Sequence, residues 1–72
     1  MPSKEDLINK LDVIDQFTKS DYIEIIFDWT VSAMTEKAVL LNDLYWLPFS
    51  CLRTDPDGNL YLIYWLHDKH FG

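Results

Sequence analysis

Apolar residues recur along the first quarter of the chain at spacings of four and three: Leu7, Leu11, Ile14 and Phe17, with Ile8 beside them. That is the period of one helical face, so an amphipathic helix is predicted from Ser3 to Thr18. Asn9, Asp12 and Gln16 fall on the opposite side. Ser3 stands at the N-cap and Asp6 three residues on, a capping box with Asp in place of the preferred Glu. Glu5 and Asp6 also suit the positive end of the helix dipole. Lys19-Ser20-Asp21 is the polar break that ends the helix.

From Tyr22 to Ala33 the period changes to two. Ile23, Ile25, Phe27, Trp29, Val31 and Ala33 alternate with Tyr22, Glu24, Ile26, Asp28, Thr30 and Ser32. This predicts one long strand with a buried face and a mostly polar face. Lys37 to Leu41 and Leu44 to Phe49 read as a second and third strand about a tight Asn42-Asp43 turn, residues that tolerate positive φ. Pro48 has no N–H, so the third strand must end there, bulge there or lie at an edge. Asp55-Pro56-Asp57-Gly58 is a second turn, with proline presetting the first corner and glycine supplying the left-handed position. Cys51–Thr54 and Asn59–Leu62 would pair across it. Ile63 to His70 then reads as a short helix with Trp65 and Leu66 turned inward. The expected fold is α+β: an N-terminal amphipathic helix, an antiparallel β-meander of three to five strands, and a short C-terminal helix, in a single domain over 1–72.

Composition narrows the chemistry. A chain of 72 residues has a thin core, and Cys51, the single cysteine, excludes an intrachain disulfide. No Cys/His cluster has structural-zinc spacing. The N-terminus has mixed charges and no apolar h-region, and no stretch is long enough to span a bilayer. With one lone cysteine, the expected location is the reducing cytoplasm, with no membrane association. The net charge is -6. Residues 1–36 hold eight acids and three bases, a net of -5, and residues 37–72 hold four and three, a net of -1. Such a surface disfavours nucleic acid and favours basic partners.

A resemblance lies in residues 22–72. An alternating strand at Tyr22–Asp28 is followed by Glu36-Lys37-Ala38-Val39-Leu40-Leu41. Trp46-Leu47-Pro48-Phe49-Ser50, an Asp57-Gly58 turn and a terminal Trp65-Leu66 helix come next. This order resembles a group of small bacterial and phage-encoded proteins. The position of Phe49 is usually basic in that group, so a polar contact there is lost or replaced by an apolar one. The resemblance implies a mobile-element origin, with the host cytoplasm as location, rather than a chemistry.

No catalytic constellation stands out. Cys51 with His67 or His70 would make a thiol–imidazole pair, but Cys51 reads as a small hydrophobe at a strand end. His67 and His70 have chelating spacing without a third ligand, and Asp55–Asn59 is too short for a calcium loop. No cofactor or metal is expected. Most of Phe27, Trp29, Trp46 and Trp65 are expected in the core. A thin domain cannot bury all eleven aromatics, and Tyr22, Tyr45, Tyr61 and Phe49 are the candidates for an exposed patch, since tyrosine and tryptophan dominate interface hot spots. Asp12, Asp15, Asp21, Glu24 and Asp28 form the acidic half that would steer toward a basic groove. The expected function is therefore a small acidic, non-enzymatic protein that docks on and inhibits a larger host protein, such as a nucleic-acid-handling or anti-phage defence complex, in the manner of an anti-CRISPR. Two other readings are a small nucleic-acid-binding domain using Lys37, Arg53 and the sheet face, and a homodimer joined through a strand edge.

Overall fold

The computed structural model describes residues 3–17 and 19–71. The order of elements is helix α1 (Lys4–Lys10), strands β1 (Tyr22–Glu24), β2 (Val31–Met34), β3 (Ala38–Leu41), β4 (Tyr45–Pro48), β5 (Leu52–Thr54) and β6 (Leu60–Ile63), and helix α2 (Tyr64–Phe71). Short 3-10 turns at Lys19–Asp21 and Phe49–Cys51 lead into β1 and β5. The α+β class and the two terminal helices are as expected. The strands among the described residues, however, number six and divide between two antiparallel sheets, ordered β1-β6-β5 and β2-β3-β4.

The predicted helix is cut short. Its start is as read: Ser3 Oγ accepts from the Asp6 N–H at 3.3 Å, and Asp6 Oδ2 accepts from the Ser3 N–H at 3.1 Å. Leu7 and Leu11 are buried. At Leu11 the backbone turns extended, because the next residues have a better partner. Thr54 donates to the Asp12 carbonyl at 3.1 Å and accepts from the Ile14 N–H at 2.7 Å, which makes 12–14 a short parallel neighbour of β5. Phe17, expected on the apolar stripe, is 85% exposed. Thr18, the expected helix end, lies outside the described residues.

The predicted long strand is broken as well. Ile25 still donates to the Leu60 carbonyl at 2.8 Å, and then the chain leaves the first sheet. Residues 28–30 bond instead to Asn42. Its Oδ1 accepts from the Thr30 N–H at 2.8 Å and from Thr30 Oγ1 at 3.2 Å, and its Nδ2 donates to the Asp28 carbonyl at 3.2 Å. The Asn42 N–H donates to the Thr30 carbonyl at 3.0 Å. The alternation of burial survives the break from 25 onward: Ile25 and Trp29 are buried and Phe27 half-buried, while Ile26 is exposed; Ile23, expected on the buried face, is 38% exposed on the edge strand β1. Val31 starts the second sheet. A bulge at Ser32 shifts the β2–β3 register and lets Ser32 Oγ accept from the Asp43 N–H at 2.8 Å.

The hairpins match their turn chemistry. Asn42 and Asp43 have φ of 53° and 58°, the left-handed pair a tight hairpin needs. Gly58 has φ 86°, with Ile8 Cδ1 3.5 Å from where a Cβ would sit. Leu7, Val39, Leu41, Leu47, Leu52, Leu60 and Leu62 are fully buried, and both sheets contribute to one core cluster. Cys51 is buried within it, and Leu66 is the buried residue of α2.

Because Asn42 supplies both a left-handed backbone and the side-chain bonds to residues 28–30, two variants separate these roles. Asn42→Gly keeps the backbone and should lower stability by about 1–2 kcal/mol. Asn42→Ala adds the left-handed penalty, roughly 1 kcal/mol more. Chemical denaturation of both variants checks the order; equal stability of Asn42→Gly and wild type would show the side-chain bonds to be idle.

Candidate functional site

Two surfaces emerge from the sheets. The first is the outer face of β1-β6-β5. Cross-strand register places Glu24, Tyr61 and Arg53 in one row, on the face opposite the buried Leu60 and Leu62. Tyr61, expected in an exposed patch, is 6% exposed. It sits on the central strand, covered on both sides, and its hydroxyl lies 3.1 Å from Glu24 Oε1 and 3.2 Å from Asp55 Oδ2. Desolvation and these two carboxylates push its pKa up to about 12. Asp55 organises the β5–β6 turn. Its Oδ1 accepts from the Asp57 and Asn59 N–H groups at 2.9 and 2.8 Å, and its Oδ2 from Asn59 Nδ2 at 2.9 Å. Desolvation works to raise the Asp55 pKa, but the hydrogen bonds from Asn59, Tyr61 and Asp57 outweigh it and hold the carboxyl below its ordinary value.

The expected acids do not gather. Asp12, Asp15, Asp21, Glu24 and Asp28 are all exposed. Asp12 lies on the segment beside β5, whereas Glu24 lies on β1, three strand spacings away, roughly 14 Å. Asp15 accepts from the Phe17 N–H at 2.9 Å. Asp21 precedes β1, and Asp28 lies in the crossing between the sheets. They form a broad acidic surface rather than a row. The cations of the nucleic-acid reading are also apart. Lys37 is in the β2–β3 turn of one sheet and Arg53 on β5 of the other. Arg53 is moreover engaged, with Nη1 donating to the carbonyls of Leu52 at 2.7 Å and Ser50 at 3.2 Å and its guanidinium 5.3 Å from the Tyr22 ring centre. That half-buried ring is thus partly covered.

The second surface is the outer face of β2-β3-β4. Val39, Leu41 and Leu47 point into the core with no exposure. The alternate residues must point outward. Register aligns Ala33, Leu40 and Trp46 in one row, and Ala38 with Pro48 in the next. All five are apolar and retain solvent exposure. Trp46, expected in the core, is 51% exposed, because β4 has a neighbour on one side only. Pro48 continues the face into a cleft of about 370 Å³ that it lines with Glu36, Lys37, Phe49 and Ser50. This cleft unites the Glu36-Lys37 and Pro48-Phe49-Ser50 segments, 11 or more residues apart in sequence, through the Phe49 N–H bond to the Lys37 carbonyl at 2.9 Å.

Other aromatics are taken up elsewhere. Tyr45 packs on Phe71 with ring centres 4.7 Å apart and on His70 at 5.6 Å. Phe27 meets Phe71 at 5.0 Å and His67 meets it at 5.1 Å. Trp65, expected to turn inward, is 50% exposed, since one turn of helix cannot aim two adjacent residues at the same core. Among the described residues no group of three or more His, Cys, Asp or Glu side chains is placed to hold a metal. No helix is long and apolar enough to cross a membrane.

The apolar alternation of β4 does not show that Trp46 is exposed; the local signal is Pro48, one of whose readings is an edge strand. No family model, curated protein or solved structure matches this chain.

The Tyr61 geometry sets a signed pH dependence. Its pKa is raised from 10.0 to about 12 on folding, so its contribution to stability is full below pH 10 and lost as pH rises through 12. Asp55 behaves oppositely. Its contribution is full above the ordinary carboxylate value of 3.8 and disappears as pH falls through the lower folded value. Ultraviolet titration should show a phenolate step near pH 12 that Tyr61→Phe removes. A Tyr61 step at pH 10 would mean the two carboxylates exert no hold on the hydroxyl.

Proposed function

We propose that this chain is a small acidic binding protein without catalytic chemistry. It docks on a larger host protein through the outer face of β2-β3-β4 and blocks it. The observation that carries the reading is the uncharged row of Ala33, Leu40 and Trp46, with Ala38 and Pro48 beside it, leading into the Phe49 cleft. An exposed tryptophan on an apolar face beside a cleft has the make-up of an interface anchor. Charge supports the same reading. Strands and turns from 31 to 50 carry only Glu36, Lys37 and Asp43, so the contact itself has little charge to desolvate. The remaining acid excess lies around it, where it speeds encounter with a basic partner. A host defence or nucleic-acid-handling complex, met by a protein of mobile-element origin, is the class of partner that fits.

Immobilised wild type should retain one protein at near-stoichiometric yield from nuclease-treated bacterial lysate. Trp46→Lys should lose most of that capture while its thermal unfolding stays close to wild type, since the side chain is half in water. Asp21→Lys with Asp28→Lys should weaken capture about tenfold at low salt and much less at high salt. Those two acids are chosen because Glu24 also holds Tyr61. Capture indifferent to Trp46→Lys would refute the docking face, and capture indifferent to the paired lysines would refute the steering.

A further inference from the structure

We propose that the open edge of β1 takes an extended segment of another protein, basic and apolar in alternation, as a fourth, antiparallel strand of β1-β6-β5. This edge belongs to the other sheet and is independent of the docking face above. Among the described residues, β1 pairs with β6 on one side and with no strand on the other. The Ile25 N–H bond to the Leu60 carbonyl sets the ladder. Antiparallel ladders alternate, so Ile25–Leu60 and Ile23–Leu62 exchange bonds, and the backbone groups of Tyr22 and Glu24 face away from β6. Tyr22 follows the Lys19–Asp21 3-10 turn, whose i to i+3 bonding takes its N–H. The edge therefore offers the N–H and carbonyl of Glu24 and the carbonyl of Tyr22.

Side chains select the occupant. Glu24 is exposed on the outer face. Among the described residues its carboxylate has one bond, to a Tyr61 hydroxyl whose single proton also serves Asp55. Residues 20–35 hold Asp21, Glu24 and Asp28 and no Lys or Arg. The cations near β1 stand at its other end, Lys19 in the turn before it and Arg53 over the Tyr22 ring. A strand beside β1 sets one residue directly opposite Glu24, where opposite charge is favoured. Ile23 shares the core side with its partner Leu62, yet it is 38% exposed because it lies on the edge strand. The next residue of the added strand covers it. The segment thus has Lys or Arg at i, opposite Glu24, an apolar residue at i+1, opposite Ile23, and a residue other than proline at i+2, opposite Tyr22. Residue i exchanges two bonds with Glu24, and residue i+2 donates one to the Tyr22 carbonyl. Backbone bonds provide affinity and the alternate side chains provide specificity, as in strand addition generally. A second copy of β1 fits less well. Glu24 against Glu24 sets two carboxylates opposite each other. Glu24 against Tyr22 leaves both Glu24 carbonyls facing N–H groups that the Lys19–Asp21 turns already hold.

The test selects peptides from a random displayed library on the full chain, with Trp46→Lys carried alongside. The expected consensus is Lys or Arg, then an apolar residue, then a residue other than proline, enriched equally on both proteins. Synthetic versions N-methylated at i or i+2 should lose binding at least about tenfold, whereas N-methylation at i+1, whose N–H points away from β1, should not. Glu24→Gln keeps an acceptor for Tyr61 and removes the charge. It should weaken the peptide about tenfold at low salt and less at high salt, and abolish the preference for a base at i. Amide exchange at Glu24 should slow by at least about tenfold in the bound state. A helical consensus with i, i+3, i+4 spacing, binding indifferent to N-methylation or to Glu24→Gln, an unprotected Glu24 amide, or no enriched peptide would each overturn the proposal. Enrichment lost on Trp46→Lys would overturn it too, since the peptide would then sit on the β2-β3-β4 face. So would light scattering that shows a dimer with Glu24 protected in the absence of peptide, since the occupant would then be a second copy.

Discussion

Residues 28–30 take their hydrogen bonds from Asn42 instead of from a neighbouring strand, and the two-sheet architecture depends on that exchange. A strand running on from β1 would carry Val31 to Met34 into the first sheet. The crossing residues Asp28 and Thr30 are exposed, and their bonds to Asn42 tie the chain to the β3–β4 turn as it leaves one sheet and enters the next. Ile25, Phe27 and Trp29 meanwhile keep pointing inward, and the crossing becomes part of the core rather than a loop laid over it. Phe27 then meets Phe71, which ties the C-terminal helix to the same junction.

The split creates two outer faces of unlike character. On β1-β6-β5 the row is Glu24, Tyr61 and Arg53, with the tyrosine sealed between carboxylates. On β2-β3-β4 the row is Ala33, Leu40 and Trp46, with no polar side chain. Phe17, Ile26 and Leu44 also stand in water, but only scattered; on β2-β3-β4 the exposed apolar side chains line up in a row that ends at an edge strand and a cleft. Pro48, which has no N–H, blunts the edge at which this face ends, and the Phe49–Cys51 turn follows it directly.

Much of the local structure was legible in the residues. Ser3 and Asp6 make the capping box, Asn42-Asp43 and Asp55–Gly58 make the turns, Pro48 ends a strand, and the period of two from Ile25 to Trp29 marks the inward side chains. These are local effects, determined by sterics and hydrogen bonding within a few residues. What failed was everything that depends on a distant partner. The helix stops at Lys10 because Thr54 captures 12–14, and the long strand breaks because Asn42 captures 28–30.

The candidate site divides the same way. The sequence reading put Trp46 in the core and Tyr61 in an exposed patch, and the structure reverses both. Only strand order decides that Tyr61, on a central strand and capped by Glu24 and Asp55, is buried, while Trp46, on an edge strand, is left in solvent. Burial of an outward side chain depends on its lateral neighbours, and those come from segments tens of residues away. The sequence by itself therefore determined the turns, the capping box and the inward alternation from Ile25 to Trp29; the tertiary structure decided which aromatics are surface, because lateral cover is a property of the assembled sheet.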